Sequence, residues 1–199
     1  MTAQASDVVL WSGERWSLVG GGPLFDPKAH GLEPFMLHTG NWLGYHCRYA
    51  VHDGRLVLDQ LEIGLNGRQL DEARAGRGPV LGGKVPVGQP DRPNGIAFTY
   101  PDLGLPIAYS GKLLIANDFI RELYVHMGHH PAWKFERVTE LQFADGVFER
   151  SEDVSERYAK MRANADPRDL PRGYNASGRR LSRWFTSVFG RSFGKSRDG

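Results

Sequence analysis

Two stretches of this chain alternate apolar and polar residues and then run into an Asp-Gly pair, and together they restrict the fold more than anything else in the sequence. From Trp133 the odd positions read Trp133, Phe135, Arg137, Thr139, Leu141 and Phe143, while the even ones read Lys134, Glu136, Val138, Glu140 and Gln142. Successive side chains of a strand point to opposite faces, so this period of two predicts a strand with one largely apolar face. Asp145-Gly146 then supplies the left-handed backbone that a tight hairpin turn requires. The same device occurs earlier, where Tyr45, Cys47, Tyr49 and Val51 share one face of a strand that turns at Asp53-Gly54 into Arg55-Leu56-Val57-Leu58.

Shorter signals fill in the order of elements. Apolar runs at residues 8–11 and 15–19 flank Ser12-Gly13-Glu14 as an opening hairpin, which Gly20-Gly21-Gly22-Pro23 ends. Residues 23–40 read as a punctuated connection and residues 42–63 as the first long hairpin. Eight glycines and four prolines between Gly64 and Gly95 predict a long loop. Further strands are expected at residues 96–100, 112–116 and 122–127, with a turn over 117–121. Ser151-Glu152-Asp153-Val154 is placed to cap a polar helix that runs to about Asn164 and stops before Pro167. The expected fold is mainly β with an α+β character: an antiparallel sheet, as a sandwich or an open barrel, with one or two C-terminal helices. A β-rich globular domain over residues 1–165 precedes a linker and a basic amphipathic C-terminal helix over 166–199.

At 199 residues and 40% hydrophobic composition, the chain suffices for one sizeable core. A single cysteine, Cys47, excludes an intramolecular disulfide and fits a reducing compartment. Residues 1–7 carry no basic start and no apolar run of a secretory signal, and no stretch approaches the roughly 18 apolar residues of a membrane span, so a cytoplasmic location is expected. The net charge of +2 hides an asymmetry. Residues 171–199 hold seven basic residues against Asp198 alone, whereas the rest of the chain is mildly acidic.

That basic tail also has a helical period. Leu181, Trp184, Phe185, Val188 and Phe189 share one helical face, with Arg179, Arg180 and Arg183 beside it. Such a helix docks on its own sheet, or it serves an anionic membrane surface or a partner groove, where guanidinium groups meet phosphates or carboxylates while aromatics bury. Specific nucleic-acid binding is not expected, because only the tail offers phosphates a basic surface.

Candidate chemistry is sparse. His126, His129 and His130 cluster in sequence, with His38, His46 and Cys47 on earlier segments. Zinc needs three or four such ligands converging at about 2.0–2.3 Å, and Gly128 and Pro131 oppose the helix that would aim His126 and His129 at one ion. Gly190-Arg191-Ser192-Phe193-Gly194 matches a nucleophile-elbow pattern, but no histidine follows it to act as base. Gly76-Arg77-Gly78 with Gly82-Gly83-Lys84 fits neither phosphate-loop spacing. No catalytic residue, no metal ligand and no cofactor is assigned.

The run Trp42-Leu43-Gly44-Tyr45-His46-Cys47-Arg48-Tyr49-Ala50-Val51-His52-Asp53-Gly54-Arg55-Leu56-Val57-Leu58 resembles the W-R-G-Y-x-A-x-W-E-I-x-D-x-x-L-x-L pattern of a family of uncharacterised small bacterial proteins. Gly111-Lys112-Leu113 and Tyr124-Val125-His126-Met127-Gly128 answer that family's later G-K-L and Y-V-H-M-G segments. The resemblance covers roughly residues 40–150 and implies an accessory or immunity-type protein that binds a cognate toxin. His46-Cys47 and Tyr49 depart from the pattern, the Gly/Pro-rich stretch 64–95 is long, and the basic tail lies outside it. No catalytic residue carries over.

The expectation is therefore a non-catalytic bacterial protein that binds and occludes a protein partner, a toxin in the immunity-type case. Trp42, Tyr45, His126, His129 and Trp133 are the candidate contacts, since Trp and Tyr combine large buried area with a polar handle. Two other readings stand beside it: a metal-dependent hydrolase using the histidine cluster, and a peripheral membrane protein anchored by the C-terminal helix.

Overall fold

The computed structural model describes residues 3–89, 95–126 and 128–163. The expected linker and C-terminal helix over 166–199, with Arg179, Arg180, Leu181, Arg183, Trp184, Phe185, Val188 and Phe189, lie outside the described residues.

Three hairpins follow the sequence signals. Val8–Trp11 (β1) and Glu14–Gly20 (β2) turn at Ser12 and Gly13, with φ of 51° and 79°. Tyr45–His52 (β3) and Arg55–Gly64 (β4) turn at Asp53 and Gly54, with φ of 49° and 72°. Phe135–Ala144 (β9) and Val147–Asp153 (β10) turn at Asp145 and Gly146, with φ of 47° and 75°. Both central residues are left-handed in each turn, the conformation whose twist matches that of the flanking strands. Between the second and third hairpins come a helix at Gly67–Arg74 (α1), short strands at Val87–Gly88 (β5), Ala97–Tyr100 (β6) and Leu105–Pro106 (β7), and the long strand Gly111–Phe119 (β8). Ser155–Ala163 (α2) follows β10, and Asp153 Oδ1 accepts a hydrogen bond from the Ser155 amide at its start.

All ten strands join one sheet in the order β10-β9-β8-β2-β1-β3-β4-β6-β5, with β7 also on β4. Every pairing is antiparallel except β1 with β3, which run parallel from Val8 opposite Arg48 to Leu10 opposite Ala50. The sheet curls until β10 returns to β4 at Val147 opposite Arg55. There the Leu56 amide donates to Gly146 O and the Phe148 amide to Gly54 O, both at 2.8 Å. Closure is thus by a narrow seam between two hairpin turns, not by a complete barrel.

The curl makes two cores. Cys47, Tyr49, Leu56, Leu58, Leu113, Ile115, Leu141 and Phe143 meet on the inner face, with Tyr45 and Val51 packed against them, so the four residues expected on one face of β3 do share it. On the outer face, Leu114, Ala116 and Val138 are covered by Tyr158 of α2, by Ala132 of the approach to β9 and by Phe135 at its start. This second core explains why the predicted single apolar face of residues 133–143 is only half the story. Val138, on the even face, is as buried as Leu141 on the odd one.

Three expectations need correction. The stretch 64–95 is not simply a loop, since it contains α1 and β5. Of the expected strand 122–127, the described residues 122–126 form none: Arg121–Leu123 is a 3-10 turn, and β8 runs on to Phe119 through the expected turn. Both edges of β8 are already taken by β2 and β9, so no ladder remains for a following strand. β9 starts at Phe135 and not at Trp133, because Ala132–Lys134 is also a 3-10 turn.

Candidate functional face

The first residues of the described chain stitch two distant loops together. Ala3 bridges to Gly128, and the Gln4 amide donates to Gly128 O at 2.8 Å. On the other flank the Ala5 amide donates to Gly40 O at 2.9 Å. The Gln4 side chain extends the link, its Oε1 accepting from the Trp42 amide at 3.2 Å and its Nε2 donating to Thr39 O at 2.9 Å. Residues 35–44 and the described residues of 124–130, at least 80 positions apart, are thereby held on one side of the molecule.

The first loop is fixed from beneath by its backbone. The Phe35 amide donates to Gly64 O at 2.9 Å, and the Gly64 amide donates to Gly44 O at 2.7 Å. A Cβ on Gly64 would lie 2.1 Å from Phe35 O, and one on Gly44 2.6 Å from the Phe35 backbone, so the two chains approach this closely only because both positions are glycine. Asn41 adds a side-chain acceptor for the Gly44 amide at 3.0 Å. With the backbone anchored inward, four large apolar side chains turn outward: Phe35, Met36, Trp42 and Leu43 are 44%, 48%, 53% and 58% exposed. A shallow depression lined by Lys28, Leu32, Glu33, Pro34 and Asn66 adjoins Phe35.

The second loop is anchored by rings. Phe119, at the end of β8, lies 4.6 Å from His130, 5.2 Å from Phe135 and 6.3 Å from Tyr124, centroid to centroid. Tyr124 is 5.3 Å from His130 and 5.1 Å from the exposed His126. Behind this stack, Arg162 of α2 donates to the carbonyls of Trp133 and Phe135 at 2.9 and 3.1 Å and pairs with Glu136.

Two ionisable groups are unusually placed here. His130 Nδ1 is buried with no hydrogen-bond partner among the described residues. Burial, with further contributions from Lys134 and His129, pushes its pKa down to about 4. Lys134 is 1% exposed, and burial lowers its pKa to about 8. Its Nζ lies 5.4 Å from the centroid of the Trp133 ring.

Of the residues singled out from sequence, Trp42 and His126 are exposed on this face, one from each loop. Tyr45 is half-buried, its hydroxyl donating to Phe25 O at 3.5 Å, and it packs on the inner core. Trp133 is half-buried against the outer core, and His129 is half-buried on the approach to it. The other histidines have local tasks: His38 Nδ1 accepts from the Gly40 amide at 3.2 Å, and His46 Nε2 lies 2.5 Å from Ser6 O. Among the described residues no group of three or more His, Cys, Asp or Glu is placed to hold a metal ion. None of the described helices is long and apolar enough to cross a membrane.

Comparison with protein-family models, with curated proteins and with solved structures gives no match.

Phe35, Met36, Leu43 and Lys134 were missed by sequence reasoning. Phe35 and Met36 sit in a Pro- and Gly-rich connection without a period, Leu43 lies at the start of the stretch read as the first long hairpin, and Lys134 falls on the even, nominally solvent-facing side of the alternating stretch.

Proposed function

We propose that this chain is a non-catalytic protein-binding protein that engages its partner through the face built from residues 35–44, 124–126 and 128–130. The exposed quartet Phe35, Met36, Trp42 and Leu43 carries the reading. Large apolar side chains held outward on an anchored backbone lose little conformational entropy on binding, and aromatic and Met side chains are the types enriched at interface cores. The polar surroundings, with Gln4, His38, Thr39 and His126, supply the rim that such a patch needs. In the immunity-type reading the partner is a toxin, and binding acts by occlusion.

The test is a matched pair of proteins, wild type and Trp42→Ala/Leu43→Ser, presented to lysate of the native host and then to the purified captured protein. A specific partner should bind the wild type and lose at least tenfold in affinity with the double variant, while the melting temperature stays unchanged. Equal binding by both proteins would move the interface elsewhere.

A further inference from the structure

Half of the large apolar side chains left exposed among the described residues stand on the candidate face. Phe35, Met36, Trp42, Leu43 and Tyr124 belong to it, whereas Val80, Val85, Val87, Val147 and Met161 lie elsewhere along the chain. A concentrated apolar patch in water calls for an occupant. Three features point to the chain's own C-terminal segment.

The first is where the described chain ends. α2 finishes at Ala163, and Arg162 in its last turn donates to the Trp133 and Phe135 carbonyls at 2.9 and 3.1 Å. The Phe135 ring lies 5.2 Å from Phe119, which in turn lies 6.3 Å from Tyr124. The exit of α2 is therefore fastened to the ring stack that anchors the second loop of the face. The second feature is length. Residues 164–180 separate α2 from Leu181, and a random coil of that length has an end-to-end distance of roughly 20–25 Å. That exceeds the radius of gyration of a domain this size, about 15 Å, so the face is within reach. The third is chemistry. Leu181, Trp184, Phe185, Val188 and Phe189 fall at the spacing of one helical face, with Arg179, Arg180 and Arg183 beside them. Glu33, in the depression that adjoins Phe35, and Glu122, two residues before Tyr124, are exposed and form no ion pair among the described residues. Carboxylates thus border the apolar patch where guanidinium groups would meet them.

We propose that residues 181–189 fold back onto this face in cis, their apolar side chains against Phe35, Met36, Trp42, Leu43 and Tyr124, and that a partner must displace them. The displacement rests on the reading of the face as a partner-binding surface; the contact does not. A tether of this length holds the segment at an effective concentration on the order of 1 mM, far above the micromolar level at which a second copy would compete. A segment that binds the face with a Kd of about 0.2 mM when free therefore closes it about five to one. Such a contact opens well before the sheet unfolds and leaves the melting temperature unmoved.

The experiment oxidises the folded full-length chain with dilute hydrogen peroxide and reads methionine sulfoxide by peptide mass spectrometry. Met36 and Met161 are 48% and 46% exposed, so an uncovered face would oxidise them at similar rates. In the wild type Met36 should oxidise about fivefold more slowly than Met161, and Phe185→Ser/Phe189→Ser in the full chain should restore parity while leaving Met161 unchanged. Equal rates in the wild type, or a Met36 rate indifferent to these substitutions, would overturn the proposal. So would protection that grows with protein concentration, which would assign the face to a second copy. The captured partner should bind the Phe185→Ser/Phe189→Ser chain about fivefold more tightly than wild type, the same factor, because the open fraction governs both readouts. Unchanged affinity would overturn the displacement. Failure of the partner reading shows separately, as equal binding by wild type and Trp42→Ala/Leu43→Ser; it would remove the displacement and leave the contact to be decided by Met36, whose oxidation needs no partner.

Discussion

The two faces of β8 and β9 carry the same strands through different chemistry. Inside the curl, Leu113, Ile115, Leu141 and Phe143 meet other sheet residues from every side and bury nothing but apolar surface. Outside, Leu114, Ala116 and Val138 pack with α2 and the turn before β9, a turn that itself carries the buried Lys134, while the unpaired His130 nitrogen lies near Phe119 at its edge. The titratable groups of the inner core are a thiol and phenols, Cys47, Tyr49 and Tyr100, all neutral near pH 7, whereas the outer side holds a buried lysine. The inner face is where the fold gains most of its stability, and the outer side is where Lys134 and His130 Nδ1 are kept out of water.

That contrast is broken most severely by a cavity inside. Leu141→Ala should destabilise the protein by about 2–5 kcal/mol, since the enclosing strands have little freedom to collapse onto the lost volume; urea unfolding measures it, and a loss below 1 kcal/mol would mean the inner core is not tightly packed. On the outer face the sign reverses. Lys134→Met should stabilise the protein at pH 7, by on the order of 2–3 kcal/mol, by removing the penalty for burying an ammonium.

The pH dependence sharpens the same point. Lys134 titrates near 8 folded against 10.5 in an open chain, so below pH 8 its burial penalty is present in full, and stability should rise as pH climbs from 8 to 10.5. His130 titrates near 4 folded against 6.5 open, so the unfolded chain takes up the proton first on acidification, and stability should fall between pH 6.5 and 4. Melting curves across both windows test this, and Lys134→Met and His130→Phe should each flatten its own window and leave the other.

A smaller effect separates the two Asp-Gly turns. Gly146→Ala should be costlier than Gly54→Ala, because a Cβ at 146 meets Ile107 O at 2.4 Å whereas one at 54 meets nothing within 4 Å. The positive φ alone accounts for about 1 kcal/mol at either site, and the difference in unfolding midpoint reports the contact. Smallest of all, Trp42→Ala should alter stability by less than about 0.5 kcal/mol, as expected of an exposed side chain.

Much of the fold was legible because hairpins are local. Asp53-Gly54 and Asp145-Gly146 announce their own backbone, and the residues on either side alternate as the strands do. What was hidden depends on neighbours distant in sequence. Residues 122–127 read as a strand, yet β2 and β9 had already filled both edges of β8. α1 was hidden among glycines, with only Leu70 and Ala73 as apolar points. Of the candidate face, Trp42 and His126 were legible as residue types, but Phe35 and Met36 belong to it only because Gly44 and Gly64 let their backbone pass close.

The seam between β4 and β10 also sets the order in which the molecule assembles. Leu56 and Gly146 bond across some ninety residues, while each of the turns they flank closes over two. Chain entropy makes the long closure slow and the short ones fast, so the hairpins form early and meet late. A ribosome would have to release β10 before the seam on β4, which already has β3, β6 and β7 beside it, can close. In the finished protein this junction is held by two hydrogen bonds beside exposed turns, and amide exchange at Leu56 and Phe148 should therefore begin before exchange in the middle of β8 or β9.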